Sequence, residues 1–288
     1  MNIVVTGSIA YDYLMTFPGR FAEHILPDQI HRLSVSFLVD EMRKQRGGCA
    51  ANIAYNLALL GERPQLMGTV GQDFETYRAW LESSGVDTSM VLRDPAAPTG
   101  TAVITVESSG QNTIVVVPGS NFQLAPEDIL AHRDLIGESD ILLMQLEVPL
   151  DTVQKAAEIA RSAGVQVILN PAPARDLPEG LLTLVDVLVP NETEAAMLSG
   201  IMVQSPEDLR ASAGMLRRKG VEQVLITLGA DGALFVDSDQ ERQIKAYTVK
   251  AVDATAAGDA FIGAYAAALA QGLPPGDALR WSAAAGAL

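Results

Sequence analysis

Ala251–Phe261 reads AVDATAAGDAF and runs directly into the apolar stretch Ile262–Leu269. The β-like segment Gln243–Val252 precedes it and a helix-like pattern follows, which places two aspartates and a set of small residues at a strand-to-helix turn. Ala256, Ala257 and Gly258 carry no bulky side chain, so the main chain there can approach an anion closely. The first N–H groups of a helix lack internal partners and form its positive pole. Asp259, just inside the helix, would stand at that same pole, where a hydroxyl undergoing phosphorylation can give up its proton. An Asp-rich N-cap on a core helix is the alternative reading of these residues alone.

Composition narrows the classes that can carry such a turn. At 288 residues and 48% hydrophobic, with 19% charged residues, the chain can bury a large core and is not disordered. A net charge of −15 argues against nucleic acid or an anionic membrane as main partner. The single Cys49 excludes an internal disulfide and any multi-cysteine metal site, which fits a reducing cytoplasm. The opening Met1–Gly7 is strand-like rather than a secretory leader, and Ala260–Ala270 is too short to span a bilayer. A cytoplasmic location is expected.

At the other end of the chain, Asn2–Thr6 is a continuous apolar strand suited to the interior of a parallel sheet. Asp12 follows its end, where open α/β sheets place ligand groups; an Asx-turn is the competing reading. Arg46-Gly47-Gly48-Cys49-Ala50-Ala51-Asn52 leads into a helix over Ala50–Leu60, and the glycine pair permits close approach to a ligand that Asn52 would also face. A glycine turn before a helix is common, and Cys49, with no histidine evident nearby, reads as packing rather than as a nucleophile. The alternation at His31–Leu38 and the runs Thr101–Glu107 and Thr113–Val117 suggest a small exposed sheet, the last two as a hairpin. From Asp140 onward strands and helices alternate, the signature of a parallel sheet covered by helices. Pro190-Asn191-Glu192-Thr193-Glu194 carries a capping-box pattern, and Thr227-Leu228-Gly229-Ala230-Asp231-Gly232 a glycine-rich turn that alone would be only a hairpin. No P-loop and no protein-kinase motif set occurs.

Asp253-Ala254-Thr255-Ala256-Ala257-Gly258-Asp259 resembles the C-terminal signature of the ribokinase-like (PfkB) sugar and nucleoside kinases, with Ala254 in place of the usual Thr. Gly47-Gly48 with Asn52 resembles the family's N-terminal signature. The resemblance implies a three-layer α/β/α domain over residues 1–288 with a mostly parallel central sheet and a small β lid from segments around 13–46 and 99–120. It implies Asp259 as catalytic base with an anion hole from the amides of Ala256, Ala257, Gly258 and Asp259. Asp12, Gly47, Gly48, Asn52 and Glu147 are then sugar-binding positions. Asn191, Thr227, Gly229 and Gly232 border ATP, Glu194 positions Mg²⁺ through water, and Asp253 contributes to a K⁺ site.

The resemblance also implies a homodimer through the lid strands. It implies a further G-A-rich segment beyond the helix holding Ala278–Leu288, without which ATP and K⁺ binding are expected to weaken. Residues 1–90 look most like bacterial adenosine kinases and residues 99–288 most like ribokinases. The activity implied is transfer of the ATP γ-phosphoryl to the 5′-hydroxyl of a ribofuranosyl substrate, with ribose ahead of adenosine and a non-catalytic sugar- or nucleoside-binding protein as the remaining alternative. Glu147 favours ribose, because a carboxylate there can pair with an anomeric hydroxyl that a nucleoside lacks. Ala102 and Val116 stand where adenosine kinases place stacking Phe residues.

Overall fold

The computed structural model describes residues 1–24, 36–109, 111–178, 180–249 and 255–288. Thirteen strands are found among them: β1 Ile3–Thr6, β2 Ala10–Phe17, β3 Glu41–Gly47, β4 Gln65–Val70, β5 Asp87–Arg93, β6 Gly100–Glu107, β7 Asn112–Val117, β8 Ile141–Gln145, β9 Gln166–Asn170, β10 Val187–Leu188, β11 Gln223–Thr227, β12 Ala233–Val236 and β13 Glu241–Ile244. Nine form one sheet in the order β13-β12-β11-β10-β9-β8-β1-β4-β5 and four form a second in the order β3-β2-β6-β7. Every pair from β11 to β5 in the large sheet is parallel, and only the β11–β12 and β12–β13 pairs at one edge are antiparallel.

The central strands are IVVT in β1 and ILLMQ in β8, buried at every position. Continuous apolar runs of this kind are required where helices cover both faces of a sheet. One face packs against the helices Cys49–Leu59, Glu75–Ser83, Ala257–Ala270 and Pro275–Ala287. The other packs against Leu150–Ala163, Glu192–Ser199 and Pro206–Arg218. The three layers expected from the alternating pattern are therefore present.

Two helices on the first face decide where the chemistry can sit. A Cβ on Gly263 would lie 3.3 Å from Asn56 Cβ and 3.4 Å from the Ile53 carbonyl oxygen, so Cys49–Leu59 and Ala257–Ala270 cross with almost no room between them. Asn52 and Asp259 each lie four residues, about one helical turn, ahead of that crossing. The close approach of two backbones thus sets one residue of each N-terminal region beside the other.

The small sheet departs from the sequence reading. Residues 31–35 of the expected strand His31–Leu38 lie outside the described residues, and 36–38 form no strand. Its place beside β2 is taken by β3, whose residues EMRKQR are exposed on both faces and show no apolar alternation to detect. Asp12 likewise sits inside β2, a strand of the small sheet, and not at the end of a central strand. Of the β-like segment Gln243–Val252, only the part within β13 is strand, 245–249 are irregular, and 250–252 lie outside the described residues.

The link from β1 to β2 carries the chain from one sheet to the other and is held from the side by Asn121. Its Oδ1 accepts from the Ile9 N–H at 3.0 Å and its Nδ2 donates to the Ile9 carbonyl at 3.0 Å, all fully buried. Replacing Asn121 by Ala leaves both Ile9 main-chain groups unpaired and is expected to lower the unfolding free energy by about 2–4 kcal/mol in urea titrations. A loss below about 1 kcal/mol would show that water replaces the clamp.

Candidate active site

The turn Gly47-Gly48 has a structural reason for both glycines. A Cβ on Gly47 would lie 2.2 Å from Asp12 Oδ2, and one on Gly48 would lie 2.6 Å from the Ala10 nitrogen. Gly48 also adopts φ +92°, which side chains resist. The Asp12 carboxyl is thereby laid against bare backbone. The Tyr77 hydroxyl donates to the Gly47 carbonyl at 3.0 Å and fixes the turn from below.

Ser8 ties this turn to the end of β8. Its Oγ accepts from the Cys49 N–H at 2.9 Å and donates to Glu147 Oε2, while its carbonyl accepts from the Ala50 N–H at 3.1 Å. The first amides of the helix Cys49–Leu59 are consequently engaged by protein. The helix Ala257–Ala270 starts differently. Ala256 adopts the left-handed conformation at φ 61°, and the first intrahelical bond runs from the Ala260 N–H to the Ala256 carbonyl at 2.9 Å. The N–H groups of Ala257, Gly258 and Asp259 lie ahead of that bond. Gly258 is exposed, and a Cβ there would meet nothing within 4 Å.

Asp259 is the buried member of this turn. It is 7% exposed in a helix otherwise built of Ala, Gly, Phe, Ile, Tyr and Leu, and its Oδ2 accepts from Asn52 Nδ2 at 3.0 Å. Burial first, then the charges of Glu147 and Asp12, push its carboxyl up to about 7, against the hydrogen bonds from Asn52 and Cys49. Asp12 is pushed up to about 6, chiefly by burial and then by Glu147. Asp12, Glu147 and Asp259, read from three distant stretches of sequence, therefore share one cleft between the two sheets. Asn52 meets Asp259 there.

In the small sheet, Asp12 is paired with Gln45 on β3 and Ala102 on β6, and Ala102 with Val116 on β7. Cross-strand partners point to one face, so Gln45, Asp12, Ala102 and Val116 form a row without an aromatic ring. Lys44 and Arg46 point the other way and lie over the rings of Tyr11 and Trp80, 3.5 and 4.7 Å from their centroids.

Along the same edge of the large sheet, Asn191 caps the helix Glu192–Ser199. Its Oδ1 accepts from the Glu194 N–H at 2.9 Å, and its own N–H donates to Glu194 Oε2 at 2.8 Å. The capping box is thus real. Asn191 pairs with Thr227 across an isolated bridge, which sets both beside the Gly229–Gly232 turn joining β11 to β12. A cavity of about 650 Å³ opens beside that turn, with Leu228, Asp231, Lys245 and Thr248 among its lining residues. Gly232 is required, because at φ +98° its Cβ would lie 1.9 Å from the Ile244 carbonyl oxygen.

Glu194 is 7% exposed, and burial raises its carboxyl above the usual range. One of its oxygens accepts from the Asn191 N–H, which leaves the other to meet a cation directly or through water. Among the described residues no group of three His, Cys, Asp or Glu side chains could hold a metal ion. Asp253, the expected K⁺ ligand, lies outside the described residues.

Sequence reasoning passed over Ser8, Tyr77 and Asn121, all of which position the cleft. Each acts through a contact with residues 30 or more positions away, and no local pattern marks it. Cys49, read as packing, has its thiol pushed well above the ordinary value, first by burial and then by the charges of Asp259 and Glu147.

A buried carboxylate beside free helix amides, facing a second carboxylate on a small overlying sheet, defines an α/β phosphotransferase. The chain belongs to the pfkB family of carbohydrate kinases, whose family model matches residues 4–288. It is 39% identical over 275 residues to the ribokinase of Staphylococcus aureus, covering 93% of this chain and 86% of the relative. The structure of Arabidopsis thaliana ribokinase complexed with ribose and ATP superposes with a TM-score of 0.85 at 29% identity, covering 99% and 91% of the two chains. A Burkholderia thailandensis nucleoside kinase in complex with inosine superposes at 0.80 and 29% identity, covering 100% and 90%. Among the described residues no helix is long and apolar enough to cross a membrane.

Asp259 should make folding pH-dependent in a definite direction. Its folded value lies above its unfolded one, so its contribution to stability is full below pH 3.8 and is lost as pH rises through about 7. Asp259→Asn, which removes the buried charge, is expected to stabilise the unliganded protein by about 4 kcal/mol at pH 8.5 and by only about 1–2 kcal/mol at pH 5. Equal effects at both pH values in thermal unfolding would contradict the burial of an ionisable carboxyl.

Proposed function

We propose that this protein transfers the γ-phosphoryl group of ATP to the 5′-hydroxyl of ribose. The observation that carries the reading is the placement of the Asp259 carboxyl at the open N-terminus of Ala257–Ala270, in one cleft with Asp12 and Glu147. A base whose pKa lies near the working pH is both ionised in useful amount and strong enough to accept a hydroxyl proton.

In this reading Asp12 and Asn52 accept and donate to the ring hydroxyls, and Gly47 and Gly48 let the sugar lie against the main chain. Glu147 takes the anomeric hydroxyl. Asp259 accepts the 5′-hydroxyl proton as that oxygen forms a bond to the γ-phosphorus and the bond from γ-phosphorus to the bridging oxygen of ADP breaks. The amides of Ala256, Ala257, Gly258 and Asp259 donate to the equatorial oxygens, where charge gathers in the transition state. ATP would extend toward Asn191, Thr227, Gly229 and Gly232, and Mg²⁺, held through water near Glu194, would neutralise phosphate charge. A monovalent cation near Asp253 belongs to the same proposal. The small sheet acts as a lid that excludes water, which would otherwise compete for the phosphoryl group.

The row Gln45-Asp12-Ala102-Val116 offers hydrogen bonds but no aromatic face for a base, which supports the free sugar over a nucleoside. The edge strand β7 exposes Ile114, Val115, Val116 and Val117, each at least half accessible, and the proposed occupant of that edge is the lid of a second copy. Light scattering should then give twice the 30.5 kDa chain mass, and a monomer at micromolar concentration would contradict it.

The decisive assay is ADP release with ribose, fructose, adenosine and inosine as acceptors. Ribose is expected to give the highest kcat/KM, and phosphorylation of adenosine or inosine with inert ribose would overturn the choice of substrate. Asp259→Asn should lower kcat by about 100-fold or more with the ribose KM changed less than about threefold. For the parent enzyme kcat/KM should fall as pH drops through about 7, the value of the buried carboxyl. A midpoint near 4 would assign the proton to a different group.

A further inference from the structure

We propose that Gly286 is a positioning residue for the phosphoryl-binding turn: its bare Cα lets the last turn of the helix Pro275–Ala287 rest on the Ala257 carbonyl and so keep the Gly258 N–H on its aim. The inference rests on the reading above, in which the first amides of Ala257–Ala270 receive the γ-phosphoryl group.

That turn starts from a strained residue. Ala256 holds the left-handed conformation at φ 61°, the one non-glycine to do so among the described residues. An L-residue keeps such a conformation only where its surroundings enforce it. One part of those surroundings is the neighbouring helix. Pro275–Ala287 follows Ala257–Ala270 after a short turn and runs back along it, and its Ala278, Leu279 and Ala283 are buried in one core with Phe261, Ile262 and Tyr265.

The two helices come closest where the second ends and the first begins. A Cβ on Gly286 would lie 3.3 Å from the Ala257 carbonyl oxygen and 3.4 Å from Phe261 Cβ, so a methyl group there must displace its neighbours by a few tenths of an ångström. Ala283, Ala284, Ala285 and Ala287 around it all carry that methyl group. Glycine is a poorer helix former than alanine, so position 286 gives up intrinsic helix stability where the Ala257 carbonyl lies against it.

That oxygen matters because of the peptide it belongs to. The Ala257 C=O and the Gly258 N–H share one planar trans unit and point in opposite directions, so displacing the oxygen turns the N–H. The Gly258 N–H lies ahead of the first intrahelical bond, and Gly258 is exposed. Donors of this kind act through an orientation set before the reaction, so a tilt falls on the transition state. Asp12 on β2 and Glu147 after β8 stand on other elements, and sugar binding is spared.

The test compares the parent with Gly286→Ala and Gly286→Val, and with a control, Gly214→Ala, in the helix Pro206–Arg218, where a Cβ would meet only Arg218 Nη1 at 3.5 Å. One readout is the ¹⁵N–¹H resonance of Gly258 in ligand-free, glycine-labelled protein, assigned by its loss in Gly258→Ala. The other is steady-state phosphorylation of ribose well below the unfolding midpoint of each variant. Gly286→Ala should shift the Gly258 resonance and lower kcat by about tenfold with the ribose KM changed less than about threefold, and Gly286→Val should lower kcat further. Gly214→Ala should leave the resonance in place and kcat within about twofold.

An unmoved Gly258 resonance in Gly286→Ala would overturn the proposal and reduce Gly286 to helix packing, whatever the unfolding midpoint. A loss that falls on the ribose KM with kcat intact would overturn it too. A shifted resonance with parental kcat and KM would uphold the contact and refute the helix start as the phosphoryl site, which separates failure of the inference from failure of the reading beneath it.

Discussion

The structure depends on bringing three carboxyl groups into one cleft of a chain that already carries a net charge of −15. Asp12, Glu147 and Asp259 repel one another, and burial disfavours the charge on each that it covers. Such an arrangement persists because the surrounding backbone leaves it no alternative. Gly47 admits no side chain where the Asp12 carboxyl lies, Gly48 none against the main chain of residues 8–10, and Gly263 lets two helices meet closely enough for Asn52 to reach Asp259. The result is an acidic site with a strong demand for hydroxyl donors or a positive partner.

The two sheets divide the work. The large parallel sheet, apolar on both faces, supplies rigid strand ends from which Glu147, Asn191 and Thr227 project near one edge. The small sheet contributes Asp12 and is joined to the large one by the short crossing at Ser8 and Ile9, which Asn121 clamps and Ser8 links to Glu147. Asp259 and the first amides of its helix belong to the layer packed on the large sheet, where preorganised dipoles are most effective.

What could be read from the sequence was whatever is encoded locally. The helix Ala257–Ala270 with its aspartate, the glycine pair before Cys49–Leu59, the hairpin of β6 and β7, and the βα alternation after residue 140 all carry their own periodicity or turn residues. The capping box of Asn191 and Glu194 was legible for the same reason. The small-sheet strands β2 and β3 were not, because β3 exposes charged residues on both faces and alternation appears only where one face is buried. Ser8, Tyr77 and Asn121 escaped because each depends on a partner far away in sequence.

All of the chemistry rests on which group faces the acceptor hydroxyl when both substrates are bound. A crystal structure with ribose and a non-hydrolysable ATP analogue measures this directly. The Asp259 carboxylate should lie within hydrogen-bonding distance, about 2.6–3.2 Å, of the ribose 5′-oxygen, with the γ-phosphate against the amides of Ala257 and Gly258 and with Asp12 on the ring hydroxyls. A 5′-oxygen turned away from Asp259, or a γ-phosphate seated elsewhere than at that helix start, would contradict it.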